Sequence, residues 1–108
     1  MPIVHIDCKR IRNVSSFHEV FAEALGFPGF YGRNMSAWID CMSSLDSPGH
    51  GMTSVHCSPP EVLTLALDNA HLMPLELFQQ ILDSAAFVNW RRMEQGEPPV
   101  LAVSGWRR

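Results

Sequence analysis

Between Asn34 and Leu45, in the stretch NMSAWIDCMSSL, Asp40 is the one charged residue. A helix turns about 100° per residue. On that period Met35, Ala37, Trp38, Ile39, Cys41, Met42 and Leu45 sweep roughly 200° of apolar surface, and Ser36, Asp40, Ser43 and Ser44 share the remaining arc. Most surface helices carry several long charged side chains that pair at i,i+4; this stretch carries none. A smooth face of small side chains lets another surface approach closely. One carboxylate in its middle, once desolvated, needs a cationic partner. An ordinary surface acid on a serine-rich helix fits the same pattern, and general helix physics does not separate the two.

The other reactive side chains carry less. His5, His18, His50, His56 and His71 are scattered, and HGMTSVHC at 50–57 is the place where a metal would be sought. A zinc site needs about four ligands in compact pairs, whereas the one tight pair here is His56–Cys57, and adjacent residues rarely chelate together. This segment reads as a polar loop, and no metal or cofactor is expected. Cys8, Cys41 and Cys57 are odd in number and lack a disulfide framework, which fits reduced thiols. Cys41 falls on the apolar side of its helix, as a packed thiol does. His18 and Glu19 read as the solvated side of a first helical turn. Neither a Ser-His-Asp order nor a paired carboxylate is apparent, so no catalytic residue is assigned.

The elements that must position Asp40 follow from periodicity and turn chemistry. Pro2–Asp7 is rich in β-branched residues and reads as a first strand. Ser16 with Glu19 three residues on forms a capping box. Phe17, Val20, Phe21, Ala24 and Leu25 then make one helical stripe that ends at Gly26 and Pro28. FPGFYGRN is a loop, followed by a second helix from about Asn34 to Leu45. Residues 46–60 form a long connection dense in turn residues, mobile in part. Glu61–Asp68 reads as a strand covered on both faces. Pro74 to Gln95 is the longest helix, with proline in its first turn and Gly96 at its exit. Pro98–Ser104 is the last strand. The order β-α-α-β-α-β predicts an α/β fold with a small three-stranded parallel sheet.

Length and composition bound the function. A chain of 108 residues suits one domain, here taken as 1–108. It is 46% hydrophobic and 18% charged, which is globular composition. It has no apolar run long enough to span a membrane and no apolar h-region at its start, which points to a cytoplasmic protein. The net charge of −3 argues against binding nucleic acid directly through phosphates. The pairs Arg91–Arg92 and Arg107–Arg108 read as solvated ends and as charges that favour a helix C-terminus.

The segment FHEVFAEALGFPGFYGRNMSAWIDCM, residues 17–42, resembles the barstar family of bacterial ribonuclease inhibitors. The capped helix, the FPGFYGRN loop and the AWIDC helix carry the resemblance, and AFVNWRR and GEPPVLAV are similar to the last helix and strand of one subgroup. The resemblance implies a two-layer α/β domain, monomeric when free, that plugs the active site of a small basic ribonuclease or toxin nuclease. Asp40 would sit where a substrate phosphate sits. Phe30, Gly32, Asn34, Ser36, Ala37, Asp40, Ser43 and Ser44 match the contact surface, with Phe30 or Tyr31 stacking on the partner. Gly32 would permit close backbone approach or a positive φ, and Asn34 would shape the loop or begin the helix. Ser36 stands where the family pattern has a second aspartate, Phe30 where it has tyrosine and Arg33 where it has glutamate. Asp83 or Glu76 would supply the family's later acidic contact. The implied interface is less acidic than the family pattern, which leaves room for a regulatory domain that binds a protein other than a nuclease.

Overall fold

The computed structural model describes residues 2–106. Its elements are β1 (Ile3–Asp7), α1 (Val14–Leu25), α2 (Met35–Met42), β2 (Leu63–Asp68), α3 (Leu75–Glu94) and β3 (Leu101–Ser104), with short 3-10 turns at Cys8–Arg10, Pro48–His50 and Ala70–Leu72. The sheet has the order β1-β2-β3 and both pairings are parallel. The expected α/β fold and β-α-α-β-α-β order are therefore present. Arg107 and Arg108, expected as solvated ends, lie outside the described residues.

Both crossovers step the same way across the sheet. Crossovers of one hand taken in one direction lay their helices on one face. The register aligns Val4 with Leu65 and Leu65 with Val103, and Ile6 with Leu67, so these residues share the helix-covered side. Leu63, Leu65 and Leu67 are buried there, while Thr64 and Ala66 are half-buried and Ile3, His5 and Ser104 are exposed on the other side. The expectation that β2 is covered on both faces is thus corrected. Its apolar run hides an alternation of size, with leucine inward and Thr64 and Ala66 outward.

α1 begins earlier than its stripe suggests. The capping box is Asn13–Ser16 and not Ser16–Glu19: Asn13 Oδ1 accepts from the Ser16 N–H at 2.9 Å, and Ser16 Oγ accepts from the Asn13 N–H at 3.0 Å. Asparagine caps as well as serine does, and Val14 and Ser15 cost little in an exposed first turn. Phe17, Val20, Phe21 and Leu25 are buried as the stripe requires. The helix ends at Gly26, which is left-handed with φ 66°, and a Cβ there would collide with Ser54. Phe17, Phe21 and Trp38 join α1 to α2, with ring centroids 4.8 Å and 5.7 Å apart in turn. Trp38 is fully buried, and its Nε1–H meets no hydrogen-bond partner among the described residues.

The segment 46–60 is fastened to the end of α1 and to the turns that follow α2. The Ser54 N–H donates to Leu25 O at 2.9 Å and the Cys57 N–H to Leu45 O at 3.0 Å, while Thr53 and Cys57 are buried. Asn89 of α3 fastens the edge strand: its Oδ1 accepts from Val100 N and Leu101 N at 3.0 and 3.1 Å, and its Nδ2 donates to Leu101 O at 2.9 Å.

Arg92 corrects the reading of Arg91–Arg92 as solvated. It is 4% exposed and continues the buried stripe Leu77, Ile81, Ser84, Ala85 and Val88. Its guanidinium makes a fork-on-fork pair with Asp46 at 3.0 and 2.8 Å. It also donates to Ser43 O at 3.1 Å and to Pro98 O at 2.9 Å. One side chain therefore joins α3, the end of α2 and the approach to β3. Arg92→Ala would strand the half-buried Asp46 carboxylate, and Asp46→Ala would leave the buried guanidinium only Glu97 Oε2, at 3.6 Å, as a counter-charge, each at a cost of roughly 3 kcal/mol. Urea denaturation should show the midpoint falling in both variants. A double replacement by apolar residues, Arg92→Met with Asp46→Leu, should lose less than either single alanine.

Candidate protein-binding face

The ramp into α2 is held from below. Tyr31 is half-buried, packs on Phe27 with centroids 4.6 Å apart, and its N–H donates to Pro28 O at 2.9 Å. Its hydroxyl lies 2.6 Å from His18 Nδ1. His18 is only 2% exposed, so the solvated-face reading is corrected. It extends the buried side of α1 because Tyr31 gives its ring a polar partner. Burial lowers the imidazole pKa below its ordinary 6.5, and the nearby Arg33 charge lowers it further. Burial also pushes the Tyr31 phenol upward. A neutral imidazole facing a phenol that keeps its proton suits Tyr31 O–H donating to Nδ1.

Arg33 takes the left-handed conformation, with φ 54°. Of the two roles expected of Gly32, the positive φ therefore belongs to its neighbour, and close approach remains: a Cβ on Gly32 would lie 3.3 Å from Asn34 Nδ2 and 3.6 Å from Ala37 Cβ. A non-glycine residue held left-handed is locally strained. Asn34 follows as the N-cap, with Oδ1 accepting from the Ala37 N–H at 2.8 Å and Nδ2 donating to Gly32 O at 3.4 Å. The cap sets both the turn out of the loop and the axis of α2.

α2 is shorter than expected and stops at Met42. Ser43 and Ser44 continue in tightening turns, with the Ser43 N–H donating to Ile39 O and the Ser44 N–H to Cys41 O. Leu45 stays buried as the wheel requires. Trp38, Cys41 and Met42 face the core, and burial raises the Cys41 thiol to about 11, a packed and unreactive group. Ser36 and Asp40 face solvent, with Ala37, Ser43 and Ser44 half-buried beside them. The Asp40 side chain is 64% exposed. Phe30, at the crest of the loop, is 77% exposed. Of the two candidate stacking aromatics, Phe30 is the accessible one and Tyr31 is the anchor.

Asp40 is not as isolated as its own helix suggests. Arg91 of α3 reaches across to it, with Nη2 3.7 Å from Oδ1, and donates to Ser43 Oγ at 2.6 Å. The Arg91 guanidinium lies over the Phe87 ring, 5.7 Å from its centroid. Ser44 Oγ meets His50 Nδ1 at 3.2 Å. The remaining histidines are dispersed: His56 lies beside Thr53 and His5 beside Asp68. Among the described residues no three His, Cys, Asp or Glu side chains converge on one point. Asp83 and Glu76 are both exposed on α3. Nothing in the local pattern of residues 34–45 could have found Arg91, since its approach depends on how α2 and α3 pack.

A family model described as Barstar (barnase inhibitor) matches residues 1–102. The chain belongs to the barstar family. No curated protein matches it. Barstar membership suggests a barnase-inhibitor-like protein, so a protein partner is the class of ligand it supports. No described helix is long and apolar enough to cross a membrane.

The buried His18 has a measurable consequence. The unfolded imidazole titrates near 6.5 and the folded one lower. Between those two values the unfolded chain binds more protons, so stability rises with pH through that window and is fully present above about 6.5. Urea midpoints measured from pH 7.5 to 5 should fall below pH 6.5. His18→Gln, which does not titrate, should flatten that part of the profile.

Proposed function

We propose that this barstar-family protein inhibits a ribonuclease or related toxin nuclease by occluding its active site with residues 30–34 and α2. Asp40 takes the place of a substrate phosphate among the nuclease's cations. Phe30 stacks on the rim of the cleft, Gly32 and Asn34 shape the loop for close approach, and Ser36, Ala37, Ser43 and Ser44 form the smooth surround. The observation that carries this reading is the solvent-facing Asp40 carboxylate, the one charge on α2, in a chain that matches an inhibitor family along residues 1–102. The protein performs no catalysis itself and needs no cofactor. It acts as a cytoplasmic monomer that protects a bacterial cell from its own nuclease or from a neighbour's toxin, as an antitoxin or immunity protein does. A net charge of −3 supports electrostatic steering toward a basic partner.

A second reading is a barstar-fold regulatory domain for a partner other than a nuclease. Ser36 and Arg33 in place of acids, and the Arg91 guanidinium beside Asp40, favour it because they reduce the negative charge of the face. Salt separates the two: binding to a cationic cleft weakens steeply with ionic strength, and binding to a neutral partner does not.

Calorimetry and RNA-cleavage assays against a panel of small basic ribonucleases test the leading reading. At least one should bind tightly, and Asp40→Ala should cost about 2 kcal/mol or more, roughly thirty-fold in Kd. Failure of every ribonuclease to bind, or an unchanged Kd in Asp40→Ala, would sink it.

A further inference from the structure

The charge on the candidate face is mixed. Residues 30–44 contain one anion, Asp40, and one cation, Arg33. α3 adds a second cation, because Arg91 stands 3.7 Å from Asp40. Even with the exposed Asp83 of α3 counted, the face carries two carboxylates and two guanidiniums, so it has no net negative charge to draw in a cleft lined by cations alone.

Arg91 is also not arranged to swing away. Its short bond is to Ser43 Oγ at 2.6 Å, Ser43 in turn donates to Ile39 O at 2.6 Å, and the guanidinium lies over Phe87. The contact with Asp40 is the longer one. Asp40 can therefore accept an incoming cation while Arg91 keeps its place. The Arg91 side chain is 36% exposed, and Phe87 and Trp90 beside it on α3 are 42% and 57% exposed, with ring centroids 5.9 Å apart. Its neighbour Arg92 is spent on Asp46, on Glu97 and on backbone carbonyls, so the two consecutive arginines have divided tasks.

Resting on the inhibitor reading above, we infer that Arg91 is a specificity-determining residue: with Asp40 it forms a charge doublet that fits a nuclease cleft in which a cation is bordered by a carboxylate, and that repels a cleft holding cations only. The partner's cation meets Asp40 and its carboxylate meets the Arg91 fork. A cation-only cleft brings like charge against Arg91, and such juxtaposition excludes wrong partners more strongly than a missing contact does. An arginine serves here because its planar fork matches a carboxylate in two hydrogen bonds while its face stays on the Phe87 ring.

The test is a double-mutant cycle by calorimetry. The probe is a small basic ribonuclease with a glutamate general base among its cleft cations, taken from those that the wild-type protein binds. Arg91→Gln on this side and Glu→Gln in the cleft are measured singly and together. Each single change should weaken binding roughly tenfold, and the pair should be little weaker than either alone, because both remove the same interaction. Arg91→Lys keeps the charge but loses the fork, and should retain part of the coupling. It also serves as the readout if Arg91→Gln folds poorly. Additive losses, or tighter binding by Arg91→Gln, would overturn the inference and leave Arg91 as a screen on Asp40. Asp40→Asn distinguishes the levels. If it binds as well as wild type, or if no ribonuclease of any kind binds, the inhibitor reading itself falls and the doublet with it; tight binding only to ribonucleases without a cleft carboxylate overturns the doublet alone.

Discussion

The buried pair of Arg92 and Asp46 is the constraint on which the rest of the molecule depends. A guanidinium that is 4% exposed must spend its donors within the protein. It does so on two segments: the end of α2, through the Ser43 carbonyl and the Asp46 carboxylate, and the approach to β3, through the Pro98 carbonyl. Its position on the buried stripe of α3 then fixes the height of α2 against α3. That packing brings the preceding residue, Arg91, over Phe87 and beside Asp40. The structural arginine and the surface arginine are thus consecutive for a reason: adjacent helical positions point about 100° apart, one inward and one toward the candidate face.

A second set of contacts fixes the loop. α1 and α2 both lie in the crossover from β1 to β2, so they share one layer and the loop 26–34 joins them within it. The loop cannot lift away freely, because Tyr31 is tied to the buried His18 of α1 and Asn34 caps α2. Between those anchors Arg33 is left-handed and Phe30 is thrown outward. A loop fixed at both ends keeps its exposed residues in place before any partner arrives, which reduces the ordering cost of association.

The elements were readable because their signals are local. The helical stripe at Phe17–Leu25, the glycine after α1, and the proline and glycine that bracket α3 report on neighbours within a few residues. Even so, ends shifted where two residues compete for one task, as Asn13 and Ser16 do for the cap of α1. The helical period of α2 separates Trp38, Cys41 and Met42, buried with Leu45 just beyond them, from the exposed Ser36 and Asp40, whereas Ser43 and Ser44, expected on the same polar arc, lie past the end of the helix and are half-buried. Arg92 was legible in principle, since it falls on the stripe of α3, but residue type argued for the surface and prevailed. His18 was misplaced for the same reason. A polar side chain becomes buried when a specific partner waits for it, and that partner, Asp46 or Tyr31, lies at a distance that no window covers.

The sequence by itself determined the order of elements, the inward and outward faces of α2, and a single carboxylate set among serines, because each follows from periodicity and from side-chain size within one segment. Only the tertiary structure decided what that carboxylate stands beside. Asp40 and Arg91 are 51 residues apart in number and 3.7 Å apart in space. The electrostatic character of a surface is a sum over whatever groups packing brings together, so one helix could show where a charge was and not what it was worth.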